Sequence, residues 1–103
     1  MKKISAACVL AALAITAGSA QANEKLAQAS GCMTCHGIEK KVIGPSFKEV
    51  ATKYRNDKSA EGALVKKVKA GGKGVWGEVP MPPNPHVKDA DAKTLVEWIL
   101  STK

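Results

Sequence analysis

Aromatic residues are nearly absent: Phe47, Tyr54, Trp76 and Trp98 are the only four in a chain of 103. They do not alternate with the lysines, which excludes the stacking surface that single-stranded nucleic acid needs. Cysteine is as scarce, with Cys8, Cys32 and Cys35 alone. Cys8 lies near the start of an N-terminal apolar stretch, so two cysteines remain, too few for a four-cysteine zinc site. No alternating polar and apolar pattern marks a strand, and no internal repeat or low-complexity tract occurs. The single long apolar run, Ile4 to Ala17, is too short to span a bilayer comfortably, and nothing later in the chain replaces it.

That run belongs to an export signal. Lys2 and Lys3 give a basic start, and Ala20-Gln21-Ala22 has the small-x-small form of a cleavage site. The expected boundaries are a signal peptide over residues 1–22 and one domain over 23–103, with a second possible cut after Ala20. Cys8 leaves with the signal; a lipidated cysteine would follow the apolar run rather than precede most of it. What remains is roughly 81 residues, close to the size at which an apolar core alone is marginal. Removing Lys2 and Lys3 leaves 14 basic against 9 acidic residues, about +5. A basic exported domain meets nucleic acid, anionic lipid or an acidic protein. Export and the sparse aromatics favour the protein, without stable insertion in a membrane.

Cys32-Met33-Thr34-Cys35-His36 is the motif that decides the chemistry. Cys-x-x-Cys alone also occurs in thioredoxin-like redox sites and in halves of zinc sites. Followed by histidine it is the attachment sequence of c-type haem: two thiols add to the two vinyl groups of one porphyrin, and His36 is carried under the iron as proximal ligand. Both thiols are then used, leaving none for a disulfide. A covalently held porphyrin would also supply the core that so short a chain lacks.

The rest reads as four short helices, an all-α fold around one haem. Asn23 is a candidate cap for a first helix from Glu24 to about Ser30, ended by Gly31. Ser46-Phe47-Lys48-Glu49 has the form of a capping box and opens a second helix. A third runs from about Ala60 to Ala70, with Leu64, Val65 and Val68 inward and Gly71-Gly72 as its stop. The fourth begins near Asp89 and reaches Thr102, with Leu95, Val96, Ile99 and Leu100 on its apolar face.

Between the third and fourth helices, four prolines within residues 80–85 forbid helix and stiffen a loop that presents Met81. A lone methionine is ordinarily packing material. Here Met33 sits inside the attachment motif, so Met81 is the candidate for the iron's other face, opposite His36. His86 is the rival, because imidazole binds iron more strongly than a thioether; Pro85 before it and the approaching helix suggest a solvated surface position instead. Gly44-Pro45 is either a plain turn or the source of a carbonyl that orients the His36 ring. Trp76 is either core or a donor to a haem propionate.

Cys32-x-x-Cys35-His36, Gly44-Pro45, Gly74-Val75-Trp76-Gly77 and Pro80-Met81-Pro82-Pro83-Asn84 together resemble the small class I bacterial cytochromes c of the c-551, or c8, type. The resemblance spans essentially the whole of residues 23–103. It implies that the Pro45 carbonyl accepts the His36 Nδ1 proton, that Trp76 hydrogen-bonds a propionate, and that Asn84 donates towards the Met81 sulfur. Lys67 stands where the family often has a propionate-binding arginine, reducing a forked contact to a point charge. Glu78 occupies a place often held by proline. The implied function is a periplasmic one-electron carrier, monomeric and without bond-making chemistry. Its partners would be redox proteins such as a terminal oxidase, a nitrite reductase or a peroxidase. The competing class is a haem-based sensor, ligand-binding or peroxidase-type protein with an open or histidine-bound sixth position, but residues 74–86 supply no distal Arg-His pair.

Overall fold

The computed structural model describes residues 17–103. Its helices are α1 (Ala17–Ala29), α2 (Phe47–Lys53), α3 (Ala60–Ala70) and α4 (Asp89–Leu100), with a short 3-10 turn at Cys32–Thr34. Among the described residues only two isolated antiparallel bridges break the all-α pattern, one between His36 and Lys41 and one between Gly72 and Met81.

Three helices follow the sequence expectation and the first does not. At α2 the Ser46 Oγ accepts from the Glu49 N–H at 3.0 Å while Glu49 Oε1 accepts from the Ser46 N–H at 3.1 Å, completing the capping box. α3 stops at Gly71, whose φ of 74° suits a residue without Cβ. α4 ends two residues short of Thr102, because the Ser101 and Thr102 hydroxyls turn back onto the Trp98 carbonyl at 2.6 and 3.3 Å. α1, in contrast, starts seven residues before Glu24, and Asn23 lies in its interior rather than at its cap. Residues 17–22 contain three alanines and no proline, and their one glycine, Gly18, falls in the first turn, so the helix extends through them. The expected cleavage point after Ala22 falls within α1, and the basic start and nearly all of the apolar run lie outside the described residues. Gly31, at φ 86°, ends α1 as expected.

α4 is the common wall, packing against α1, α2 and α3. Its Ala92, Leu95 and Val96 join Ala27, Val68 and Val87 in one buried cluster. Its Ile99 joins Phe47 and Val50 in a second. Cys32, Met33, Leu64 and Trp98 border both clusters, so the attachment motif sits at the seam of the core.

Ser46 is completely buried, and its hydroxyl caps α2 directly before Phe47. Ser46→Ala is expected to cost about 1 kcal/mol and to lower Tm by roughly 5 °C in thermal unfolding. The Ser46 backbone N–H and hydroxyl, with Lys41 nearby, hold the Glu49 carboxyl below its usual range. A depressed carboxyl stabilises the fold above its ordinary pKa of about 4.3, and this is lost as pH falls through the folded value. Glu49→Gln should therefore flatten the acid limb of the stability curve below about pH 5; an unchanged limb refutes that origin.

Candidate functional site

The attachment motif is shaped by a tight turn. Cys35 N–H and His36 N–H both donate to the Cys32 carbonyl, at 3.2 and 3.0 Å. The Cys35 carbonyl in turn accepts from Ile43 and Gly44, at 3.0 and 2.7 Å, folding the chain back after His36. Cys32 and Cys35 are free thiols, both half-buried. Burial pushes the Cys32 thiol above its ordinary pKa.

His36 is held from three sides. Its Nδ1 donates to the Pro45 carbonyl at 2.7 Å. Its ring stacks on Phe47 with centroids 5.2 Å apart, and Phe47 meets Trp98 edge-on at 5.5 Å. A Cβ on Gly44 would stand 2.7 Å from the imidazole Cε1, so only glycine lets the backbone come this close. With Nδ1 committed, Nε2 is the nitrogen left for a metal. Pro45 is thus the acceptor, as expected. Phe47 was legible only as a helix residue; its contact with His36 depends on the fold-back that the sequence does not reveal.

Met81 is seated by a short backbone ladder. Gly72 N–H donates to the Met81 carbonyl at 3.0 Å, and Met81 N–H returns to the Gly72 carbonyl at 2.8 Å. A Cβ on Gly71 would overlap the Met81 carbonyl. Gly71-Gly72 therefore does more than stop α3: it lets the methionine loop dock on its end. The Met81 side chain is half-buried against the same core cluster that Cys32 and Met33 border. The Lys67 ammonium lies beside Gly72, where a Cβ would come within 2.6 Å of Nζ, which places Lys67 at this loop.

The remaining candidates sit around this frame. Trp76 is 41% exposed, so it is not core. Its ring lines a groove with Ser46, Glu49 and Lys53, and the Lys53 Nζ lies 5.6 Å from its centroid. Asn84 Nδ2 directs its protons to the carbonyls of Val68 and Pro82, at 3.0 and 3.2 Å, where the resemblance implied a bond towards the Met81 sulfur. The amide here ties the loop to the end of α3, and Asn84 N–H reinforces it on the Val68 carbonyl at 3.1 Å. His86 is exposed, as expected, and its Nε2 is also 3.0 Å from the Ser30 carbonyl at the end of α1.

A half-buried Cys-x-x-Cys-His turn, an oriented imidazole and a stiffly seated thioether on a small helical frame define a c-type haem carrier. Residues 20–103 match the cytochrome c family model, and the chain belongs to that family. It is 58% identical over 84 residues to cytochrome c-551 of Allochromatium vinosum, covering 82% of this chain and 89% of that one. It is 49% identical over 89 residues to cytochrome c-552 of Nitrosomonas europaea, covering 86% of each. The crystal structure of the Nitrosomonas europaea cytochrome superposes with a TM-score of 0.76 at 49% identity, covering 78% of this chain and 99% of that one. The protein is a class I cytochrome of the c-551 type, a haem-containing electron carrier with one covalently attached haem c. The residues present fit that group: two half-buried thiols at the attachment spacing and an imidazole whose outer nitrogen is already hydrogen-bonded.

Gly44→Ala is expected to push the imidazole away from the Pro45 carbonyl. In NMR spectra of the holoprotein the His36 Nδ1 proton, protected in the parent, should exchange faster. A Nδ1 signal as persistent as the parent's would show that the approach of Gly44 is not what holds the ring.

Proposed function

We propose that the chain works in the periplasm as a one-electron shuttle whose haem iron is held axially by His36 and Met81, with residues 1–22 removed on export. The observation that carries the ligand assignment is the double hydrogen bond between Gly72 and Met81, which seats a half-buried thioether beside the core that borders Cys32. When bound, the haem supplies reversible one-electron chemistry at iron. Cys32 and Cys35 hold it to the chain. Pro45 keeps His36 in one tautomer and one orientation, which also raises the basicity of the ligating nitrogen. Met81 contributes a soft sulfur that favours the reduced state. Trp76, which is exposed, and Lys67, beside the methionine loop, would be partners for the propionates, Trp76 as a neutral donor and Lys67 as a point charge. Asn84 supports the site by fixing the loop that bears Met81.

A carrier with both axial positions filled has no room for substrate, so we read the chain as non-enzymatic. The His86 contact with the Ser30 carbonyl supports Met81 over His86, since the imidazole is engaged elsewhere. Among the described residues no helix is long and apolar enough to cross a membrane. The partners in this reading are periplasmic redox proteins that donate and accept electrons, such as a terminal oxidase, a nitrite reductase or a peroxidase, met by a monomer.

Absorption spectra of both redox states test the ligand set. The oxidised parent should show a near-infrared sulfur-to-iron band. Met81→Ala should lose it and admit exogenous ligands, and Met81→His should stay low-spin at a lower potential. Survival of the band in Met81→Ala would exclude Met81.

Val42, Ile43 and Val79 are more than half exposed in the two loops that flank the site, the turn after His36 and the approach to Met81. Exposed apolar side chains, with the exposed Lys40, Lys41, Lys48 and Lys73 near them in sequence, suit a brief encounter with an acidic protein. Stopped-flow electron transfer to an acidic redox partner should slow as ionic strength rises past about 0.1 M, where the Debye length is about 10 Å. Val79→Lys should slow it further at high salt; a rate indifferent to both removes this surface from the docking step.

A further inference from the structure

The segment from Met81 to α4 is tied down on two sides. On the α3 side, Asn84 bonds the Val68 and Lys69 carbonyls, Lys69 Nζ donates to the Val87 carbonyl, and the same ammonium pairs with Asp89 at 3.0 Å. On the other side lies a single hydrogen bond, from His86 Nε2 to the Ser30 carbonyl across 56 residues of sequence. Ser30 is buried and stands two residues before Cys32. It follows the last turn of α1, where the carbonyls carry the negative end of the helix dipole and favour an N–H donor. Val87, next to His86, is 3% exposed and belongs to the core cluster that Met81 and Cys32 border.

We infer that His86 is a positioning residue for the sixth ligand: by bonding Ser30 it braces the Met81 segment against the peptide that leads into the haem-attachment turn, and so keeps Met81 on the iron. The inference rests on the His36/Met81 reading. Met81 leaves the iron only when its segment lifts, and lifting on this side breaks the His86–Ser30 bond. Whatever the bond contributes to closure is therefore subtracted from the population of the open state. An external ligand binds that open state, so its apparent affinity reports the population directly. Among the described residues no other side chain bonds the Ser30 carbonyl, and the α3 contacts do not replace it because none of them reaches α1.

The experiment uses the oxidised holoprotein and imidazole as the external ligand. The parent's near-infrared sulfur-to-iron band is recorded first; its absence would overturn the Met81 reading and this inference with it. If the band is present, His86→Ala should keep it without imidazole but bind imidazole roughly fivefold more tightly, the size expected from losing one net hydrogen bond. His86→Gln, which restores an N–H near the same place, should recover most of the parent's affinity. Val50→Ala, a core truncation in α2 remote from this segment, controls for general loosening: it should lower Tm without changing imidazole affinity in 25 °C titrations. An affinity unchanged in His86→Ala, a failure of His86→Gln to recover it, or an equal gain in Val50→Ala would each overturn the assignment while leaving the Met81 ligand standing.

Discussion

The hydrogen bond from His36 Nδ1 to the Pro45 carbonyl is the constraint around which the site is arranged. It costs the chain a sharp return after Cys35, and four consecutive residues serve it. Gly44 lets the backbone reach the ring, Pro45 offers the carbonyl, Ser46 caps the next helix and Phe47 stacks on the imidazole face. Proline suits its place for a further reason: with no N–H of its own, it adds no donor that must be satisfied in a buried turn. α2 is only seven residues long, too short to be stable alone, so its cap and its packing on α4 hold the site and the helix together.

The core follows from the same economy. Its clusters are small, and the residues bordering both include Cys32 and Met33. A frame of this size is marginal on apolar burial alone. α4 already lines both clusters, and covalent attachment at the seam would tie them further through one rigid body. Fold and function are thus coupled: the group that carries the electron also completes the interior.

Much of this was legible in the sequence. The capping box, the glycine stops and the apolar faces of α3 and α4 are local signals, and each appears where it was expected. The motif and the Pro45 carbonyl were legible too, through spacing and resemblance, whereas Lys67 was legible only as a basic residue at a place where relatives carry an arginine, and its position beside the methionine loop came from the fold. Three other features were not. The start of α1 depends on a weak contrast, since Asn23, between Ala22 and Glu24, is a good cap but costs only roughly a few tenths of a kcal/mol inside a helix. The stacking of Phe47 on His36 needs the fold-back between them, a contact made by loops with no periodicity to read. His86 is exposed, as its place after a proline suggested, but its bond to Ser30 was not legible: the acceptor lies 56 residues away and no sequence pattern pairs them. Local chemistry writes helices, whereas long-range hydrogen bonds are visible only once the helices are placed.

An electron carrier gains from changing as little as possible between its two states, and the two ligand candidates obtain this rigidity by different routes. His36 is fixed by direct side-chain contacts: a hydrogen bond to one ring nitrogen and an aromatic face. Met81 has no polar handle on its sulfur that the chain satisfies here, because Asn84 spends its protons on carbonyls. Its position is set instead through the backbone, by the Gly72 ladder on one side and the proline-stiffened approach to α4 on the other. Such a ligand is only as firm as the loop that bears it. A thioether would also be the weaker of the two bonds to iron, so under the proposed ligation the firmness of the loop would contribute to how often the sixth position opens. The ties along residues 81–89 suit such a role: a weakly bound ligand would need a strongly held segment.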